Sequence, residues 1–129
     1  MIQRSNIRRH MRQARRALSE RQRSKCAVAL ASRVKAHPLF KQSRHLAAYF
    51  AVDGEMDPGP LIEHAWSMGK TVYMPVLKPC CDNRLWFTPY QSGDRLIPNR
   101  FGIPEPVRAC HQHVSPPYGY LGHDVSSAP

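Results

Sequence analysis

Acidic residues are scarce in this chain. Nine Asp and Glu stand against 19 Lys and Arg in 129 residues, a net charge of +10 with histidine neutral. Such a surface attracts anions: phosphates, nucleic acid or acidic lipid. Long apolar runs are also missing, so no segment reaches the length that spans a bilayer. The N-terminus is charged and carries no apolar h-region, so no secretory leader is expected. Cys26, Cys80, Cys81 and Cys110 lack disulfide-like spacing, and the adjacent pair suits a reducing compartment. Together these absences set the expectation of a cytoplasmic protein without a membrane partner. There is no G-x-G-x-x-G or Walker phosphate loop and no internal repeat. No Ser/His/Asp arrangement can be argued from residue order, so no catalytic residue is assigned. The length fits one domain with a modest core.

The positive charge is unevenly placed. Residues 1–25 hold nine Lys or Arg and only Glu20 as acid, a net +8, whereas residues 26–129 carry a net +2. Ile7, Met11, Ala14 and Leu18 follow steps of four and three, which predicts a helix with one apolar stripe and arginines on its other faces. Ser19 and Gln22 have capping-box spacing, so a second helix is expected to start at Glu20. Ala27, Leu30, Ala31 and Val34 would form its buried face, and Pro38 would end it.

Residues 45–52 read as a strand that is apolar almost throughout, the pattern of a parallel strand buried on both faces. The run continues into YFAVDGEMDPGPLI, an acidic turn that opens into a helix. Asp57 is the expected N-cap and Pro58 the first helical residue. Leu61, Ala65 and Met68 share a face, with Ile62 and Trp66 beside it, and Gly69 suits the C′ position. TVYMPVL would be the next strand, completing a βαβ unit. Pro75 argues that this strand is short or that the proline lies at an edge. Residues 84–90 read as a third strand, Ser92-Gly93-Asp94 as a turn, and residues 98–106 as a proline-punctuated loop. No period of either kind is evident from residue 107 onward. The fold class expected is α/β, an open, mostly parallel sheet flanked by helices.

Three places invite chemistry. Ligands of open α/β sheets bind beyond the carboxyl ends of the strands, where Glu55 would stand after the aromatic pair Tyr49-Phe50. Its two oxygens match adjacent N–H donors on a ligand. An acidic turn that merely caps the next helix is the plainer alternative, but Asp57 fits that role better. Arg4 and Arg8, four apart, lie one above the other on a helix and can fork onto phosphate oxygens. Read from the residues alone, a solvated basic face is the favoured account of them. Cys110, His111 and His113 lack a second paired motif at finger spacing, so no metal site is assigned.

At this point four stretches line up in order: Arg4-x-x-x-Arg8 running into RRALSERQ, YFAVDGEMDPGPLIEHAW, GKTVYMPVL and NRFGIPEP. With them, residues 4 to about 106 resemble the 5-formyltetrahydrofolate cyclo-ligases, also called 5,10-methenyltetrahydrofolate synthetases. The second and fourth stretches at this separation are the specific ones. The resemblance implies an α/β ligase that converts 5-formyltetrahydrofolate to 5,10-methenyltetrahydrofolate with ATP and magnesium. It implies that Arg4 and Arg8 contact ATP phosphates, that Phe50 lines the folate site, and that Glu55 contacts folate. The first basic position is often lysine in the family, a mild departure at Arg4.

The resemblance also implies a further strand and a glycine-rich loop ending near Gly-Tyr-Tyr-Asp-Arg, which would wrap phosphates and help hold magnesium. This chain instead reads SPPYGYLGHDVSSAP. The expectation is therefore that residues 1–106 form the N-terminal part of a single cyclo-ligase-like domain and residues 107–129 an irregular, non-homologous tail. On that expectation the chain is truncated, lacks activity, and leaves its sheet incomplete at the C-terminal end. An exposed sheet edge would then favour self-association and poor solubility. The rival reading is a nucleic-acid-binding module using the basic N-terminal helix. It would need stacking or base-reading groups among the arginines, and the aromatics lie elsewhere. A folate-binding remnant without turnover is a third reading.

Overall fold

The computed structural model describes residues 3–77 and 85–107, and their contacts group into two compact units. Among the described residues the first unit covers 3–43 and 50–64, and the second covers 44–49, 65–77 and 85–107.

The first unit is helical. Helix α1 (Arg4–Ala17) forms where the apolar stripe predicted it, yet none of its residues is buried. Ile7 and Met11 are 49% and 51% exposed. Helix α2 (Glu20–Ala36) starts at the expected residue. The Ser19 side chain accepts from the Gln22 N–H at 3.2 Å, and the Gln22 side chain accepts from the Ser19 N–H at 2.9 Å. That reciprocal pair satisfies two of the backbone donors orphaned at a helix start. Ala27 and Ala31 of its predicted face are buried, with Leu30 and Val34 half-buried. The chain turns at His37, and Pro38 opens the short helix α3 (Pro38–Gln42), which packs against α2 and buries Phe40. The Phe40 and His64 rings stack with centroids 6.0 Å apart.

Helix α4 (Gly59–Ser67) contains the boundary between the units. It begins one residue later than expected, but Asp57 Oδ1 still accepts the Gly59 N–H at 2.8 Å, the expected capping contact. Leu61, Ile62 and Ala65 are buried, whereas Met68 is exposed beyond the helix end. Gly69 takes φ +71. The Lys70 N–H bonds to the Ala65 carbonyl and the Gly69 N–H to the Trp66 carbonyl, the pair of bonds that closes a helix in a Schellman motif.

The second unit carries the sheets. Strands β1 (His45–Ala47), β2 (Thr71–Leu77) and β3 (Leu85–Tyr90) lie in that order, with β1 parallel and β3 antiparallel to β2. The expected α/β class holds, as does the parallel β1–α4–β2 connection, with a mixed sheet in place of a mostly parallel one. β1 is a correction. It pairs over three residues instead of running to residue 52, and His45 and Ala47 are exposed. The Ala48 N–H makes the last rung, to the Tyr73 carbonyl, before the chain departs for the turn. An apolar run marks this stretch without making it a doubly buried strand.

Pro75 sits inside β2, and the pairing explains why it is tolerated. Tyr73 points its carbonyl toward β1, so Pro75, two residues on, turns its missing N–H to the same side, where β1 has already ended. The next N–H on that side, of Leu77, donates to Glu105 Oε1 at 2.8 Å. Val72, Met74 and Val76 alternate as the buried residues of β2, and Thr88 opposite Met74 is fully buried. Trp66 Nε1 donates to the Tyr90 carbonyl at 3.0 Å.

Residues 98–106 are a second correction. In place of an irregular loop, β4 (Leu96–Pro98) and β5 (Pro104–Pro106) pair as an antiparallel hairpin. Asn99 organises its bend. Its Oδ1 accepts from the Phe101 and Ile103 N–H groups at 2.9 and 3.1 Å, and its Nδ2 donates to Glu105 Oε1 at 2.9 Å. The polar residues of NRFGIPEP thus hold the hairpin and β2 together. Arg84, Cys80, Cys81, Cys110, His111, His113 and the 108–129 part of the tail lie outside the described residues.

Candidate functional site

All four site residues expected from the sequence fall in the helical unit. At 100° per residue, Arg4, Arg8, Arg12, Arg15 and Arg16 of α1 occupy an arc of about 120°, so five guanidiniums share one face. Arg4 and Arg8 are exposed and form no ion pair with a carboxylate among the described residues. Their partners in charge, Arg12, Arg15 and Arg16, are engaged.

The engaging group is Asp53. It lies in a tight turn in which the Glu55 N–H donates to the Val52 carbonyl at 3.1 Å, with Asp53 at φ +55 and Gly54 at φ +74. Two successive positive φ values define a type I′ turn, for which Asp-Gly is a favoured pair. Gly54 is required twice over. Besides its φ, a Cβ there would stand 3.1 Å from the Arg15 carbonyl oxygen. The turn therefore sits directly on the last turns of α1.

From that seat Asp53 meets three guanidiniums. Oδ2 lies 3.3 Å from Arg12 Nε and 3.5 Å from Arg15 Nη2, and Oδ1 accepts a hydrogen bond from Arg16 Nε. The Arg16 hydrogen bond, with the charges of Arg16, Arg12 and Arg15, holds the Asp53 carboxyl below its ordinary value, against a smaller opposing effect of desolvation. Arg15 Nε is buried with no hydrogen-bond partner. One carboxylate facing three guanidiniums leaves a local excess of positive charge, continued along the helix by Arg8 and Arg4.

Glu55 closes the same turn: its Oε2 accepts the Val52 N–H at 3.2 Å. The sequence reading treated Glu55 as free of structural duty, and the structure corrects this in part, since one oxygen secures the turn. The other oxygen has no hydrogen-bond partner among the described residues. Phe50 is half-buried in the segment that leads from β1 into this turn. Arg8 stands one helical turn, about 6 Å of rise, from Arg12, and Arg4 about 12 Å from it. The basic pair and the acidic turn are thus carried by the same helix without touching one another.

Sequence reasoning missed Asp53 as the link. Two signals were available: Asp-Gly after an apolar run, which favours a I′ turn, and arginines at 12, 15 and 16, which share a face. Helix α1 contains no Phe, Tyr or Trp on which bases could stack, and His10 is its one ring. Among the described residues no group of three His, Cys, Asp or Glu could hold a metal, and no helix is long and apolar enough to cross a membrane.

Comparison with known proteins points one way. Residues 1–116 match the model of the 5-formyltetrahydrofolate cyclo-ligase family. The 5-formyltetrahydrofolate cyclo-ligase of Escherichia coli K12 is 38% identical over 96 residues, covering 74% of this chain and 53% of that protein. The corresponding protein of Haemophilus influenzae is 39% identical over 66 residues, 51% of this chain and 35% of that one. The chain thus spans about half the length, or less, of the curated relatives it matches. The solved structure of 5,10-methenyltetrahydrofolate synthetase from Aquifex aeolicus superposes with a TM-score of 0.73 at 29% identity, covering 87% of this chain and 55% of that one. On a family match that takes in nearly the whole sequence, this chain belongs to the 5-formyltetrahydrofolate cyclo-ligase family.

Proposed function

We propose that this chain supplies the folate-reading turn and part of the phosphate-binding face of an ATP-dependent ligase. Its reaction would convert 5-formyltetrahydrofolate to 5,10-methenyltetrahydrofolate in a cytoplasmic one-carbon pathway. The observation that carries this reading is the Val52–Glu55 turn seated on α1 through Gly54 and Asp53, which gives Glu55 and the arginine stripe a common frame.

The chemistry requires two things to be held together. The formamide oxygen is a poor leaving group, so it is first phosphorylated by the γ-phosphate of ATP, releasing ADP. The neighbouring folate nitrogen then attacks the activated carbon, and phosphate departs. Catalysis of such a step is mostly placement and charge neutralisation. Arg4 and Arg8 would take the phosphate oxygens in charge-assisted contacts. The second oxygen of Glu55 would accept from the N–H edge of the pterin, and Phe50 would offer it apolar contact. Magnesium belongs to the reaction expected of the family. Among the described residues no three His, Cys, Asp or Glu side chains come together to hold it, and Asp53 is tied to arginine while Asp57 caps α4. The described residues thus offer magnesium no assembled set of ligands.

A double dissociation tests the reading by calorimetry. Glu55→Gln keeps an oxygen for the Val52 N–H but loses the charge, and should weaken 5-formyltetrahydrofolate about tenfold, the loss of one charge-assisted hydrogen bond. ATP binding should stay unchanged. Arg4→Ala/Arg8→Ala should do the reverse, with ATP binding weaker and less sensitive to salt. Folate binding indifferent to Glu55→Gln would sink the assignment of the turn.

A further inference from the structure

The arginine stripe of α1 poses a problem of selectivity. Five guanidiniums share one face, and a flexible polyphosphate would be drawn to all of them. We propose that Asp53 is a positioning residue that partitions this stripe: it retains Arg12, Arg15 and Arg16 at the folate-side turn and leaves Arg4 and Arg8 as the pair that reads the anion. The inference rests on the phosphate-binding reading of Arg4 and Arg8 given above and adds to it the residue that sets where the anion stops.

Three observations carry it. The carboxylate contacts the guanidiniums of Arg12, Arg15 and Arg16 and neither Arg4 nor Arg8, so it acts on one end of the stripe. Its neighbour Gly54 approaches the helix closely, since a Cβ added there would stand 3.1 Å from the Arg15 carbonyl oxygen. The backbone at Asp53 is held at φ +55, a conformation that few residues other than Gly, Asn and Asp adopt readily. A residue in a sparsely populated conformation whose carboxylate gathers three cations is more than a surface ion pair. The dividing line falls between Arg8 and Arg12, one helical turn apart, so an anion released from this control would slide toward Glu55 and occupy the space meant for folate.

Asp53→Asn isolates the charge, since Asn has the same shape and tolerates the same backbone conformation. Tripolyphosphate binding, followed by calorimetry at low and at physiological salt, is the readout. The variant should bind tripolyphosphate about three- to tenfold more tightly and with a steeper salt dependence, as freed guanidiniums join the site. Adding Arg12→Gln and Arg16→Gln to Asp53→Asn should return affinity to within about twofold of the parent. A structural pin would instead weaken binding on removal. Unchanged or weaker tripolyphosphate binding by Asp53→Asn with its helical circular dichroism intact therefore overturns the proposal.

A second variant does not depend on that fold surviving. With Asp53 in place, Arg12→Gln should leave tripolyphosphate affinity within about twofold of the parent, because Arg12 is already held. A loss as large as that of Arg8→Gln overturns the partition. Failure of the functional reading looks different. Binding would be indifferent to Arg4→Gln/Arg8→Gln while Asp53→Asn still strengthened it, which keeps Asp53 as the restraint on the other three arginines.

Discussion

In β2 every second residue, Val72, Met74 and Val76, is withdrawn from solvent, whereas fourteen residues of α1 include none that is buried. The sheet unit is organised by burial. The turn-and-helix part of the other unit is organised by charge and by backbone conformation: one carboxylate among three arginines, and a glycine pressed on a carbonyl. Burial is non-directional and roughly proportional to area, so it builds stability and tolerates approximate shapes. Exposed ion pairs stabilise little, but they fix which groups face which. The contrast places the candidate ligand groups in the part of the molecule specified by charge, and separates them from the part specified by packing.

The largest effect that can break this contrast is in β2. Met74 has no exposed surface and faces Thr88 across the antiparallel ladder. Met74→Ala should destabilise the protein by about 2–5 kcal/mol, the usual range for emptying a buried site of this size. Urea denaturation of parent and variant measures it. A loss below about 1 kcal/mol would mean that the site collapses freely and that burial does not dominate here.

The two regions also differ in how far the sequence disclosed them. Elements defined by a local rule were legible: the capping box at Ser19, Gly69 at the end of α4, and TVYMPVL as a strand at its observed bounds. Misreadings arose where partners distant in sequence decide the outcome. Residues 45–52 are apolar enough for a long strand, but pairing with β2 stops at Ala47, with one further bond from the Ala48 N–H, and the chain leaves for the I′ turn. The hairpin β4–β5 was hidden by Pro98, Pro104 and Pro106, because its bend is held by Asn99 and Glu105 side chains that no periodicity reports. The residues proposed to bind ligand were found by resemblance and by type. Asp53, which links them, was not found, since a helix face of arginines and a turn more than thirty residues later have no local signature in common.

A smaller effect sharpens the comparison inside the helical unit. Gly54→Ala places a Cβ at φ +74 and within 3.1 Å of the Arg15 carbonyl oxygen. The left-handed conformation alone costs an alanine roughly 1–2 kcal/mol, and the backbone oxygen cannot swing aside as a flexible side chain could. The expected outcome is a thermal midpoint lowered by several degrees, together with weaker 5-formyltetrahydrofolate binding, because Glu55 closes the same turn. Equal loss of stability with folate affinity intact would separate the turn from the ligand.

The smallest expected effect is on the apolar stripe of α1, where the contrast is most exposed to refutation. Ile7 and Met11 remain about half exposed, so replacing either with serine removes little buried apolar area. Ile7→Ser should change unfolding free energy by no more than about 0.5 kcal/mol, the scale of ordinary surface substitutions, apart from the small difference in helix propensity. Chemical denaturation at two protein concentrations reads this directly. A cost of 2 kcal/mol or so, of the kind reserved for cores, would show that the stripe is covered in solution. If that cost grew with protein concentration, the cover would be another copy of the chain, because only association makes stability depend on concentration. A result near zero at both concentrations would leave α1 as the contrast requires: a helix whose arginine face is placed by Asp53 and whose apolar face contributes little to holding the fold.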